Sequence, residues 1–207
     1  MLAIASALAQ DHVVEKVMVP MRDDVKLAAD VYRPAMEGKA VDRKFPVLVT
    51  RSPYNKNGER RRGIYFAQHG YILIAQDTRG RYASEGEPYP LIHEGRDGYD
   101  TIEWAAAQSW SNGKVGTTGA SYLAMDQYAA AIERPPHLVA MYAAVGGANY
   151  YFDSGYRGGI PGLGWPVWLL LSAGIHMPTA PPPTDSMKWS SIPTTGSASR
   201  ATSASMS

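Results

Sequence analysis

The segment VGTTGASYLAMDQYAAA, residues 115–131, is where the residue types and their spacing could do chemistry. Its pattern predicts a strand, a sharp turn carrying Ser121, and a helix that begins at Tyr122. A serine on such a turn can act as a nucleophile, and its strained backbone needs small neighbours, here Gly119 and Ala124. The backbone N–H of Tyr122, at the helix N-terminus, can stabilise an oxyanion. The segment therefore predicts acyl transfer through Ser121.

The motif alone leaves a structural alternative open. A serine that caps a buried helix would produce the same Gly-x-Ser sequence. The second glycine of the common Gly-x-Ser-x-Gly turn is also absent, because Leu123 occupies that position. The elements around the turn are needed to decide between a nucleophile and an ordinary turn residue.

Strands alternate with helices along most of the chain. The opening part reads as a hairpin, and short continuous apolar runs such as FPVLVTR are typical of strands buried on both faces. Strands are predicted at 13–34 (the hairpin), 45–51, 71–77, 113–119 and 138–146, and helices at 59–70, 98–108 and 121–133. This alternation predicts an α/β fold, a mostly parallel sheet with flanking helices.

Five segments together resemble a known family. In chain order they are VPMRDDVKLAADVYRP, VLVTRSPYNK, GYILIAQDTRGRYASEGE, DGYDTIEWAAAQSWSNGKVGTTGASYLA and PPHLVAMYAAVGG. They resemble the X-prolyl dipeptidyl-peptidase and cocaine-esterase (CocE/NonD) family of serine hydrolases, from about Val13 to about Ser172. The resemblance implies an α/β-hydrolase fold, cut within the cap region in this chain.

The resemblance also assigns roles within the site. The family carries its nucleophile in Gly-x-Ser-Tyr-x-Gly, which places it at Ser121 and puts Ala124 where the family has glycine, a mild crowding. The family's tyrosine in RSPYNK, here Tyr54, would donate its hydroxyl to the oxyanion hole, opposite the Tyr122 N–H. Asp77, Arg79 and Arg81 in the loop QDTRGRYASEG are expected to form a supporting network with one another.

The base and the acid that should activate the serine are not evident. In an α/β-hydrolase they follow the nucleophile in the order Ser, Asp, His. His137 precedes a strand at the end of the sheet opposite the turn, and His176 enters the tail, so neither is expected to reach Ser121. The acids that follow Ser121 are Asp126, Glu133, Asp153 and Asp185. The resemblance implies that the family's acid and histidine lie beyond its cap, past the end of this chain, and that 138–145 forms an exposed apolar edge.

The chain divides into four predicted regions. They are an N-terminal tail or signal-peptide remnant (1–12), the N-terminal part of the hydrolase domain (13–149), the start of a helical cap (150–175) and a disordered low-complexity tail (176–207). One set of codons for SIPTTG, read in a neighbouring frame, gives His-Pro-Asp-Tyr, which resembles a cap motif of the family. We therefore hypothesise a frameshift between about Gly174 and Trp189, which the nucleotide sequence read in three frames would test.

The uncharged segment GGIPGLGWPVWLLLSAGI, residues 158–175, is predicted to be a buried helix. Pro161, Pro166 and several glycines interrupt it, and its unbroken apolar core is too short to cross a bilayer. No membrane association is therefore expected. The location is predicted as cytoplasmic by default, or exported if residues 1–9 end a signal peptide.

Composition excludes several function classes. A net charge of +1 argues against a nucleic-acid-binding face, and the absence of cysteine excludes thiol chemistry and thiolate metal sites. The histidines are scattered and no phosphate-binding glycine loop is present, so no metal and no organic cofactor are expected. The expected partner is a small-molecule ester or peptide substrate; the oligomeric state stays open.

The predicted function is that of a serine hydrolase of the X-Pro dipeptidyl-peptidase or acyl-esterase type. It would cleave ester or amide bonds through an acyl-enzyme at Ser121, and the chain by itself is expected to be inactive. The alternative is a non-catalytic α/β-hydrolase-like binding or assembly module. X-Pro peptides, amino-acid esters and aryl esters all remain open as substrates.

Overall fold

A seven-stranded sheet dominates the computed structural model, which describes residues 11–147 and 149–175. Its strands are β1 (Asp11–Pro20), β2 (Lys26–Met36), β3 (Lys39–Ala40), β4 (Phe45–Ser52), β5 (Ile72–Asp77), β6 (Ser111–Ala120) and β7 (Leu138–Ala144). The helices are α1 (Arg60–Gln68), α2 (Glu94–Ala107), α3 (Tyr122–Ile132) and α4 (Gly164–Ile175). A 3₁₀ helix (Lys56–Glu59), a π-helix (Tyr150–Gly155) and a two-stranded ribbon, β8 (Tyr156–Arg157) with β9 (Ile160–Pro161), complete the described elements.

The sheet has an antiparallel part and a parallel part. Its order is β1-β2-β5-β4-β6-β7, and the short strand β3, off this path, pairs with the end of β2. β1 and β2 form the predicted hairpin and β2 runs antiparallel to β5, whereas β5, β4, β6 and β7 are mutually parallel. The predicted α/β fold with an opening hairpin is confirmed.

Helices cover both faces of the sheet because the central strands are apolar on both sides. In β5, Ile72 and Ile74 pack in the larger core cluster with Ile102 of α2, while Leu73 packs on the opposite face with Ala67 of α1. Helices α2 and α3 also pack against each other. Alternation along one strand therefore supplies two separate cores, as expected for a sheet buried on both faces.

The four parallel strands end at the same edge of the sheet. The segments that follow β4, β5, β6 and β7 carry Tyr54, Arg79, Ser121 and Val145 respectively. Ligand sites of open α/β sheets lie at the carboxyl ends of the strands. The fold therefore brings the predicted nucleophile and Tyr54 to one place, although 66 residues (121 − 54 − 1) separate them in sequence.

Strand β7 is the last strand of the sheet among the described residues. Val139 and Tyr142 are exposed, at 61% and 69%, so the predicted apolar edge is present. Such an edge offers unpaired backbone groups to another strand. Its tendency to pair with other chains stays a prediction.

The prediction of a buried helix in 158–175 is wrong. The helix begins only at Gly164, and Leu170 and Leu171 are 74% and 61% exposed. Trp168 reaches the turn at Ser121, but a helix that is apolar on all sides exposes whatever the rest of the fold does not cover. None of the described helices is long and apolar enough to span a membrane. The predictions for residues 1–10 and 176–207, including the frameshift hypothesis, concern segments outside the described residues.

Candidate active site

Ser121 occupies a strained turn between the last residue of β6 and the first residue of α3. Its φ is 58° and its ψ −120°, a conformation that side-chain-bearing residues rarely adopt. The backbone is held from both sides: the Ser121 N–H donates to the Ala144 carbonyl (3.0 Å), and the Ser121 carbonyl accepts from the Ala124 N–H (2.9 Å). Ser121 does not cap the helix through its side chain, which argues against the capping alternative.

Small residues make room for this turn. A Cβ on Gly119 would lie 2.7 Å from the Leu123 carbonyl oxygen, and a Cβ on Gly146 would lie 2.5 Å from the Ala124 Cβ. Ala124 is fully buried, so its methyl group occupies the space that Gly146 leaves. The crowding expected from alanine at position 124 is thus relieved by a glycine after β7.

Gly119→Ala is expected to destabilise the protein by about 1–3 kcal/mol, the usual cost of forcing an extra methyl group into a close-packed site. The measurement is the free energy of unfolding from urea titration. Gly58→Ala is the matched control, because a Cβ there meets no atom within 4 Å. Equal stabilities of the two variants would contradict the close approach.

An open cleft of about 280 Å³ lies above the turn. It is lined by residues from the carboxyl ends of three strands and from α3 and α4: Tyr54, Ser121, Tyr122, Met125, Val145, Gly147, Gly164, Trp165 and Trp168. Aromatic rings dominate it, with Trp168 stacked on Tyr122 at 5.6 Å between ring centroids. The structure therefore brings all three predicted site residues, Ser121, Tyr54 and Tyr122, to one cleft.

The Tyr54 hydroxyl is poised to donate a hydrogen bond. The Trp168 indole N–H donates to the Tyr54 oxygen (3.0 Å), which occupies an acceptor position and leaves the phenol hydrogen available. Burial raises the pKa of Tyr54, opposed by the hydrogen bond from Trp168, so the phenol keeps its proton at neutral pH. Trp168 was not predicted as a site residue, and nothing in its sequence context indicates this contact.

Tyr122 contributes to the site through both its backbone and its side chain. Its N–H is in the first turn of α3, where a helix supplies no acceptor of its own. Its hydroxyl donates to Glu94 Oε1 (2.6 Å) and accepts from the Leu91 N–H (3.0 Å). Burial and the Glu94 carboxylate raise the pKa of this phenol. Tyr122, which follows the predicted nucleophile, is therefore anchored to the start of α2.

A buried ionic cluster lies beneath Tyr122. The Arg51 guanidinium is 4% exposed; its Nη1 donates to the Glu94 carbonyl (2.8 Å) and its Nε to Gln76 Oε1 (2.9 Å). Its Nη2 lies 2.8 Å from Glu94 Oε2 and 3.8 Å from Asp97 Oδ2. The contact between Arg51 Nη2 and Glu94 Oε2 is an ion pair but not an aligned hydrogen bond. Neither of these two atoms makes a hydrogen bond with the described residues. Sequence reasoning missed Arg51 and Glu94, although an arginine in a buried strand is itself a signal.

The supporting loop after β5 is present, but its partners differ from those predicted. Arg79 pairs with Asp97 (2.6 Å) and Asp23 (2.9 Å) rather than with Asp77. Asp77 Oδ1 instead accepts from the Lys56 N–H (2.7 Å), and Arg81 Nε donates to the Pro53 carbonyl (3.0 Å). Asp77 and Arg81 therefore pin the segment that carries Tyr54, on both sides of it.

No described histidine lines the cleft. His137 pairs with Glu103 (2.7 Å) and precedes β7, at the opposite end of that strand from Ser121. Of the candidate acids, Asp126 is buried beside the ionic cluster and Glu133 ends α3. The side chains of Asp153, Asp185 and His176 lie outside the described part of the chain. Within that part there is also no group of three metal-ligating residues.

A family profile, curated relatives and solved structures all relate this chain to the same group of hydrolases. The sequence matches the profile of a family described as X-Pro dipeptidyl-peptidase (S15 family) over residues 23–206. It is 39% identical over 145 residues to cocaine esterase of Rhodococcus sp. (strain MB1 Bresler), an alignment of 67% of this chain and 24% of that protein. The chain spans about a quarter of the length of the curated relatives it matches.

Two solved structures are similar in both fold and sequence. A CocE/NonD family hydrolase from Staphylococcus aureus has a TM-score of 0.68 and 32% identity over 79% of this chain and 33% of its own. An aminopeptidase from a marine sediment archaeon, Thaumarchaeota archaeon, has a TM-score of 0.55 and 29% identity over 63% and 25%. The predicted α/β-hydrolase fold is confirmed for the part of the fold that this chain covers. The family match runs through residue 206, further than the resemblance recognised in the sequence.

Proposed function

Because this chain belongs to the X-Pro dipeptidyl-peptidase (S15) family of serine hydrolases, we propose that Ser121 is its nucleophile. The Ser121 oxygen attacks the carbonyl carbon of an ester or amide and forms an acyl-enzyme. The observation that carries the proposal is the strained backbone of Ser121 at the mouth of a cleft shared with Tyr54. Serine nucleophiles of this fold occupy such a strand-to-helix turn.

Two donors stabilise the oxyanion in this proposal. One is the Tyr122 N–H at the start of α3, and the other is the Tyr54 hydroxyl, whose oxygen Trp168 holds. One donor of this kind is worth roughly 3 kcal/mol of transition-state stabilisation. Both residues line the cleft next to Ser121, as the reaction requires.

The same proposal requires a base, because a serine hydroxyl must lose its proton as it attacks. The described residues place no histidine in the cleft, so the base is not among them. Residues 11–147 and 149–175 therefore supply the proposed nucleophile and oxyanion donors without a general base, and we expect the chain by itself to be inactive.

The cleft favours a substrate with a flat apolar group. Tyr122, Trp165 and Trp168 present aromatic surface to it, and none of its described lining residues carries a charge. An aryl or aromatic acyl ester matches this lining better than a charged substrate does. The named relatives include an esterase and an aminopeptidase, which is why both ester and amide bonds belong to the proposal.

Covalent labelling of the purified chain with a fluorophosphonate tests the nucleophile. Slow labelling on Ser121 is expected, and added imidazole should accelerate it at least about tenfold, a small part of the 10²–10⁴ that a positioned base supplies. Peptide mass spectrometry identifies the labelled residue. Ser121→Ala should abolish the label, and Ser109→Ala, a change at another exposed serine, should leave it unchanged. Labelling that survives Ser121→Ala would exclude this nucleophile.

A non-catalytic binding module is the second candidate, supported by an aromatic cleft without a described histidine. It predicts that an aryl ester quenches tryptophan fluorescence equally in the wild type and in Ser121→Ala. No fluorophosphonate label would form with or without imidazole in that case.

A further inference from the structure

A small cavity lies inside the protein, beneath the cleft and separate from it. Its volume is about 10 Å³, close to the space one water molecule needs. It is enclosed by residues of β4, β6, α2 and α3, among which Arg51, Thr117, Asp126 and Gln127 are polar. Each of these four side chains is at least nine-tenths buried.

Two of the lining side chains carry polar atoms that make no aligned hydrogen bond with the described residues. Asp126 Oδ2 accepts no hydrogen bond from the described residues, and Arg51 Nη2 donates none in an aligned geometry. Leaving a buried polar atom unpaired costs free energy, and buried water commonly satisfies such atoms. Thr117 differs, because its hydroxyl already donates to Gln127 Oε1 (2.9 Å).

We propose that one ordered water molecule binds in this cavity and bridges Asp126 of α3 to the Arg51 guanidinium of β4. The water accepts a hydrogen bond from an Arg51 N–H and hydrogen-bonds to Asp126 Oδ2, so each of these two atoms gains an aligned hydrogen bond. The Thr117 oxygen is available as a third contact. The site takes a neutral ligand no larger than water, because larger molecules do not fit about 10 Å³.

The charges around the cavity favour water over an ion. Arg51 is already balanced by Glu94 and lies near Asp97, so an anion would meet two carboxylates. Burial raises the pKa of Asp126 well above its usual range, with Arg51 opposing and Glu94 reinforcing the shift. A buried carboxyl with a raised pKa, beside a guanidinium already paired with Glu94, favours a neutral hydrogen-bonding ligand over an ion.

This water would link the helix of the nucleophile to the ionic cluster. Asp126 lies five residues after Ser121 on α3, and Arg51 contacts Glu94, which holds the Tyr122 hydroxyl. The turn at Ser121 is then supported from below through β4 as well as through α2. The inference is independent of the proposed function, because it concerns the interior of the fold.

Methyl–water NMR cross-relaxation on the full chain tests the site. Ala130 lines the cavity, and its labelled methyl group should show the cross-peak of a long-lived water. The matched control is the methyl group of Ala67, which is fully buried in the other core cluster and should show none. A missing Ala130 cross-peak in the folded chain would overturn the proposal.

Three variants distinguish bound water from exchanging protein protons. Asp126→Asn keeps a polar group and removes the carboxyl proton, so the cross-peak should persist. Thr117→Val removes the exchanging hydroxyl, and loss of the cross-peak there would assign it to that hydroxyl and overturn the proposal. Asp126→Leu should eliminate it by filling the cavity with an apolar side chain. If Asp126→Leu does not fold, the first two variants still decide the outcome.

Discussion

The purified 207-residue chain is expected to hydrolyse p-nitrophenyl acetate no faster than its Ser121→Ala variant. Loss of the triad base alone costs roughly a millionfold in turnover, about as much as loss of the whole triad. The proposed oxyanion donors cannot compensate, since one donor contributes only about 10²–10³. The measurement is initial-rate release of p-nitrophenolate by both proteins beside a buffer blank, without imidazole.

A turnover that depends on Ser121 would contradict this expectation. It would mean that a base reaches the cleft from outside the described residues, and His176 is the histidine that lies there. His176→Gln would then abolish the activity, whereas His137→Gln would leave it unchanged, because His137 pairs with Glu103 at the far end of β7. Cooperative urea unfolding of each protein is the control that the compared chains are folded.

Arg51→Met is expected to lower the free energy of unfolding by about 3–5 kcal/mol, the usual result of removing one partner from a buried ion pair. Methionine keeps most of the apolar stem, so lost packing is a minor part of the effect. The cost arises because Glu94 and Asp97 remain buried without the charge of Arg51. Urea titration followed by circular dichroism gives the stability difference.

Arg22→Met is the matched control for that substitution. Arg22 also pairs with a carboxylate, Asp100, at 2.7 Å, but its side chain is 46% exposed. Exposed pairs contribute about 0–1 kcal/mol because solvent screens them. Similar losses in the two variants would show that burial of Arg51 does not set the energy of its ion pairs.

Tyr122 offers a further readout of the Arg51 substitution. Its hydroxyl is held by Glu94, which Arg51 contacts, and its ring stacks on Trp168. A change in tryptophan fluorescence in folded Arg51→Met, absent in Arg22→Met, would connect the buried cluster to the cleft.

Local pattern was sufficient to predict the order of strands and helices and the turn that carries Ser121; its role as nucleophile stays a prediction. The apolar runs before Arg51 and Asp77 predict buried strands, since each is short and continuous. The glycine at position 119 indicates a tight turn at Ser121, because a larger residue there would clash with Leu123. Steric requirements of this kind act between residues close in sequence, so they can be predicted from the sequence.

Contacts between residues far apart in sequence could not be predicted in this way. The Trp168 bond to Tyr54 and the Arg51 contact with Glu94 join residues 114 and 43 positions apart. The partners of Arg79 were wrongly predicted for this reason, since nearby acids in sequence are not its neighbours in space. The prediction that α4 is buried was also wrong, because an apolar helix is buried only where another element packs against it.

The sequence by itself determined an α/β fold and the strand-to-helix turn that carries Ser121, because both follow from short-range backbone and hydrophobic patterns. The tertiary structure decided which side chains surround that serine: Tyr54 and Trp168 in the cleft, and Glu94 with Arg51 beneath it. The physical reason is that parallel strands gather their carboxyl ends at one edge whatever their order in the chain. Hydrogen bonds and ion pairs at that edge depend on the distance and orientation of groups in space, not on their separation in sequence.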